Sequence, residues 1–135
     1  MRKLIVPIAA LVVALTAAAA AAGGSATRGP ASGTWYSDRF VSPTGNIHCR
    51  YFAYDQLMAC KTLNNGRVAV APLFGPPYVG YIGDYSFPNG PVLNYGSVYT
   101  VRGQFRCVSQ TNGMSCRSSR TGRGFGLARE GYRLF

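Results

Sequence analysis

Four cysteines, Cys49, Cys60, Cys107 and Cys116, constrain this chain more than any other feature. All lie beyond an N-terminus with the three parts of a secretory signal. Arg2 and Lys3 open it, an apolar run over 4–16 broken only by Pro7 follows, and an alanine-rich tail over 17–22 ends it. An even cysteine count behind such a leader implies an oxidising compartment and two disulfides, in any of three connectivities. Zinc is the poorer reading, because ten and eight residues separate the cysteines and no C-x-x-C pair exists. Residues 1–22 are therefore expected to form a helical signal peptide, cleaved after Ala22, and the product to be secreted or extracytoplasmic. No later segment is apolar enough to cross a bilayer.

What remains is one small domain, whose modest core would benefit from staples. Residues 23–34 (GGSATRGPASGT) are small, polar and glycine-rich, the composition of a flexible linker. A single β domain is expected over 35–135. In NIHCRYFA (46–53), Ile47, Cys49, Tyr51 and Ala53 share one face, while His48, Arg50 and Phe52 share the other. The runs LMACKTL, RVAVA, SVYTV, QFRCVS, GMSCR and GFGLAR alternate similarly, and Asn65-Gly66 and Asn112-Gly113 are turn dipeptides between them. Nothing beyond the leader holds a helical apolar period. The fold class expected is all-β: a small disulfide-stapled sandwich or barrel of short antiparallel strands.

Residues 73–96 stand apart, with four prolines, five glycines and six Tyr or Phe. The prolines forbid a regular central strand. The segment reads as a long aromatic loop with one short strand over 78–82. It would either pack over the core or present tyrosines to a protein partner, as an inhibitor does. There is also an internal echo: VSPTGNIHCR (41–50) aligns without gaps to VSQTNGMSCR (108–117).

Catalysis has little to work with. His48 is the sole histidine, and in a strand it faces away from Cys49, so the two make no nucleophile–base pair. Ser42 begins the turn sequence S-P-T-G. The echo places serine where His48 stands. The carboxylates are Asp38, Asp55, Asp84 and Glu130. A hydrolase acting on the cell envelope would need Asp38, Asp84 and His48 to converge. Gly122-Arg123-Gly124-Phe125-Gly126 lacks the strand before and helix after that a nucleotide loop requires, and reads as a bend into the last strand. No cofactor and no metal are implied.

Charge says more. Without Arg2 and Lys3, twelve basic residues face four acidic ones, a net charge of +8, and eleven of the twelve are arginine. Seven arginines fall between 102 and 133, opposed only by Glu130. Arginine forks suit phosphate and carboxylate. Arg117, Arg120, Arg123 and Arg129 are the expected ligand-binding residues, and Arg102 and Arg106 with the interleaved Tyr99, Phe105 and Phe125 read as a charged, aromatic surface. The expected function is a non-enzymatic binding domain of the cell envelope or exterior, and a monomer. The partners expected are an anionic cell-wall polymer, a lipid headgroup or an acidic glycan rather than nucleic acid.

FVSPTGNIHC (40–49), Cys60 in LMAC, LNYG (93–96), the FRC…GMSC pair (105–116) and TGRGFGLAREGYRLF (121–135) carry a resemblance. In order and spacing the chain resembles a family of small secreted bacterial, largely actinobacterial, domains of unknown function. The family pattern has serine at Thr44, proline at Asn94 and histidine at Arg123, and often two further cysteines in the middle that this chain lacks. The resemblance implies a secreted β domain with no known activity or cofactor. Joint loss of the middle cysteines implies two local bridges, Cys49–Cys60 and Cys107–Cys116. Hairpins centred on Tyr54–Asp55 and Thr111–Asn112 would set the same cysteines face to face.

Overall fold

In a computed structural model of the protein, residues 37–80 and 86–135 are described. The expected signal peptide, the expected linker and Asp84 lie outside the described residues. Among the described residues ten strands form two five-stranded antiparallel sheets and no helix appears, so the fold is all-β. The first sheet is β1 (Arg39–Val41), β2 (Ile47–Phe52), β3 (Leu57–Thr62), β4 (Val68–Pro72) and β5 (Tyr78–Gly80). The second is β6 (Val98–Val101), β7 (Phe105–Gln110), β8 (Gly113–Ser118), β9 (Gly124–Leu127) and β10 (Tyr132–Leu134). Within each sheet every strand pairs with its neighbour in sequence.

The period-two pattern decides which side chains go inside. Along β2, Ile47, Cys49 and Tyr51 are buried while His48, Arg50 and Phe52 are half-buried on the other face. Along β7, Phe105, Cys107 and Ser109 point inward and Arg106 and Gln110 outward. One apolar cluster receives the inner faces of both sheets, from Phe40 and Met58 on the first to Tyr99, Phe105 and Phe125 on the second. Phe40 meets Tyr99 edge-on across the layers, with ring centroids 5.2 Å apart. The molecule is therefore a sandwich.

Both disulfides lie inside this cluster. Cys49–Cys60 bridges β2 to β3 and Cys107–Cys116 bridges β7 to β8, and each pair stands directly opposed in its ladder. The hairpin centred on Tyr54–Asp55 closes through Phe52 opposite Leu57, and the one on Thr111–Asn112 through Gln110 opposite Gly113. On a chain-entropy account each short loop contributes about 3 kcal/mol.

Three expectations need adjustment. The last long run stops at Leu127, and a separate short strand, β10, follows it. β1 is a strand ahead of the first expected one. The short strand in the aromatic segment is described over Tyr78–Gly80. The later part of that segment returns along the first sheet. Pro91 and Leu93 sandwich Val41 in two backbone hydrogen bonds of 2.9 Å, so residues 91–93 cover the outer edge of β1. Leu93 is fully buried there. The turns gather at the two ends of the sandwich, and the ends differ in what they carry.

Candidate anion-binding face

Cys107 faces Cys116, so in strict alternation the residue before one must face the residue after the other. Arg106 and Arg117 are accordingly direct partners across β7 and β8, both exposed on the outward face of the second sheet. Arg133 joins them from β10. It stands opposite Gly126 on β9 and lies along that residue, its Cγ and Nε about 3 Å from where a Cβ would be. A larger residue at 126 would lift Arg133 off the sheet. Its guanidinium sits 5.4 Å from the centre of the Phe135 ring. With Val108 and Ser115 these side chains line a shallow bowl of about 260 Å³.

Like charges directly opposed on paired strands repel. Among the described residues the only ion pair is Arg102 with Asp38, so no side-chain carboxylate is paired with these arginines. Of the other described acids, Asp55 is exposed in the β2–β3 turn and Glu130 in the β9–β10 turn. An anion bound in the bowl would turn the repulsion into two-sided attraction, by charge-assisted hydrogen bonds.

The four arginines chosen from the sequence do not form one cluster. Arg117 lies in the bowl. Arg120 and Arg123 are exposed in the β8–β9 turn, at the end of the sandwich where Ser119 bonds Gly103 of the β6–β7 turn. Arg129 is exposed at the opposite end, in the β9–β10 turn. Arg102 is committed to Asp38, with Nε–Oδ1 2.9 Å and Nη2–Oδ2 2.7 Å. The expected aromatic partners are also elsewhere. Tyr99, Phe105 and Phe125 are buried in the core, because they share the parity of the inward cysteines. The exposed ring beside the arginines is Phe135. Arg106, left out of the chosen set, was recoverable from that same parity; Arg133 was not, because it stands on the short β10.

The remaining candidates are engaged separately. His48 is half-buried, and both ring nitrogens face carbonyls, Nδ1 that of Phe87 and Nε2 that of Gly45, each at 3.0 Å. Arg50 beside it donates to the Ser86 carbonyl at 3.0 Å. Phe87 packs edge-on against Phe52, ring centroids 5.9 Å apart. These contacts bind the segment after residue 85 over the outer face of the first sheet. His48 thus serves as a clasp, while the Asp38 carboxylate is turned to Arg102. Of the loop aromatics, Phe74, Tyr78 and Tyr95 are exposed and Phe87 is packed.

Backbone donors complete the frame around the bowl. Gly124 and Phe135 exchange two hydrogen bonds of 3.0 Å, which ties the last residue of the chain to the start of β9. Gly124 is itself required, since a Cβ there would lie 2.0 Å from the Cys116 carbonyl oxygen. The two glycines of G-F-G thus set the depth of the bowl, one by letting β9 approach β8 and the other by bedding Arg133. No protein-family model matches the chain, and neither a curated protein nor a solved structure does.

Proposed function

We propose that this chain is a non-enzymatic, secreted binding domain that holds an anionic group on the outward face of its second sheet. The observation that carries this reading is the registration of Arg106 with Arg117, with Arg133 beside them and no side-chain carboxylate among the described residues paired with any of the three. Arginine forks on a rigid sheet present paired donors at fixed spacing, as phosphate, sulfate or carboxylate groups require. The bowl is shallow and open, which suits a group displayed on a polymer or a headgroup rather than an enclosed small molecule. The leader sequence and the two disulfides support an oxidising, extracytoplasmic setting. An anionic cell-wall polymer, a lipid headgroup or an acidic glycan all display such groups there.

The test is co-sedimentation of the purified protein with cell-wall fragments, phosphatidylglycerol vesicles and an acidic polysaccharide, at rising salt. Salt-sensitive retention on at least one is expected, lost in the Arg106→Ala/Arg117→Ala double variant. Retention unchanged in that variant, or none on any anionic surface, sinks the reading. Arg120→Ala/Arg123→Ala is the comparison, since those side chains lie at the end of the sandwich and should matter less.

A further inference from the structure

The two copies of the internal echo are structural equivalents. Val41 pairs with His48 across β1 and β2, and Val108 pairs with Ser115 across β7 and β8, which are the aligned positions of the repeat. Each copy is thus a strand, a polar turn and a returning strand. The cysteines then diverge, Cys49 bridging onward to β3 and Cys116 back to β7. The two turns, one from each sheet, lie at the same end of the sandwich and form opposite walls of a cleft of about 640 Å³. That volume lies in the range of small-ligand sites.

The first wall is built and braced. Asn46 and Asn64 bond each other reciprocally, Asn46 Nδ2 to Asn64 Oδ1 at 3.3 Å and Asn64 N to Asn46 Oδ1 at 3.1 Å. Asn64 Nδ2 reaches across the layers to the Arg129 carbonyl at 3.2 Å. The second wall is different. Gln110, Thr111 and Asn112 are exposed side chains there, and none makes a hydrogen bond among the described residues. Its backbone is fixed at Gly113, where φ is +139° and a Cβ would meet the Leu127 carbonyl oxygen at 2.3 Å. Tyr95, 43% exposed, lines the same cleft. Arg129 and Glu130 stand side by side in it with opposite charges.

We infer that this cleft binds an oligosaccharide, the polar walls reading hydroxyls and Tyr95 stacking on a sugar ring. A carboxamide donates from its nitrogen and accepts at its oxygen, so Gln110 and Asn112 can each engage two neighbouring hydroxyls in both senses. Tyrosine offers an apolar face with a polar tip. An apolar ligand would leave these carboxamides desolvated and unpaired, at a cost of a few kcal/mol. A polyanion finds one cation here, beside a carboxylate, whereas the outward arginine face holds three cations. The cleft and the arginine bowl share no lining residue, and this inference does not rest on anion binding.

The test is titration of the isotope-labelled protein with tetrasaccharides of β-linked glucose, β-linked N-acetylglucosamine and α-linked mannose, followed by amide resonances. At millimolar ligand, shifts are expected over 44–46, 110–113 and 129–130 with at least one of the three. Tyr95→Ala and Asn112→Ala should each weaken that affinity about tenfold. Arg106→Ala/Arg117→Ala should leave it unchanged, which separates failure here from failure of the anion-binding reading. Silence at the cleft with all three sugars overturns the inference. So do shifts that persist in the Tyr95→Ala/Asn112→Ala double variant, or cleft shifts produced only by inorganic phosphate.

Discussion

Arg102, in the turn between β6 and β7, holds both carboxylate oxygens of Asp38, which leads into β1. One ion pair thereby ties the second sheet to the first. Arg102 has a positive φ of 52° in that turn, a conformation ordinarily left to glycine. The bond to Asp38 raises the Arg102 guanidinium further above its ordinary value. Both side chains are well exposed, so the pair is screened by salt. Asp38→Ala is expected to lower Tm slightly at low ionic strength and not at high salt, as thermal melts across a salt series would show.

Tyr99 lies behind that pair, its hydroxyl donating to the Ser37 carbonyl. Burial first, and the Asp38 charge second, push its phenol from 10.0 up to about 12. The folded state therefore favours the protonated ring. Its contribution to stability is complete below pH 10, and is lost as pH rises from there through about 12. Ultraviolet titration of tyrosinate should show a late-ionising ring that is absent in Tyr99→Phe. Part of the alkaline loss of stability should vanish in the same variant.

The disulfides are expected to act independently, because they staple different sheets. Cys107→Ala/Cys116→Ala and Cys49→Ala/Cys60→Ala should each cost about 2–4 kcal/mol in urea denaturation. Peptide mapping without reduction should join Cys49 to Cys60. A link from Cys49 to Cys116 would contradict the fold.

Gly124→Ala should be among the most damaging single methyl additions. The added carbon would meet backbone, not a side chain that can swing aside: the Cys116 oxygen at 2.0 Å and the Arg117 Cα at 2.6 Å. Overpacking of this kind costs about 1–3 kcal/mol, and here the upper end is expected. Gly122→Ala is the contrast, with open space around it and only its φ of +71° to oppose it, so about 1 kcal/mol is expected. Chemical denaturation of the two variants compares them directly.

His48→Leu removes the imidazole contacts of the clasp while keeping an apolar body on the sheet face. A loss of about 1–2 kcal/mol is expected. The sharper readout is amide exchange, which should quicken around residues 86–90 and stay unchanged in the β7–β8 hairpin. Arg50→Ala should quicken the same amides, since it removes the bond to Ser86.

The longer strands were legible because period-two alternation over six residues is hard to mistake, and because facing cysteines fix a register. β1 and β10 were not, being three residues long, and β10 exposes every side chain. The site was harder to read. Crowding along the chain drew attention to Arg117, Arg120, Arg123 and Arg129, but a sheet spreads neighbours in sequence over two faces and two ends. Parity with the cysteines marked Arg106 and Arg117 as partners and Tyr99, Phe105 and Phe125 as core, and interleaving in sequence had read them as one surface. The clasp at His48 had no local signal, since its partner at Phe87 lies 39 residues away. The echo did carry information about the cleft, as two copies of one polar turn.

Because each sheet is a run of adjacent hairpins, each is complete within one uninterrupted stretch of chain, 39–80 and 98–134. Contacts of short range in sequence form quickly and need little loop closure. Each sheet can therefore assemble without waiting for the other, and each pair of cysteines meets within its own hairpin. Both mispaired connectivities would join cysteines across the two halves. Local closure of the hairpins selects against them, so oxidation needs no later reshuffling.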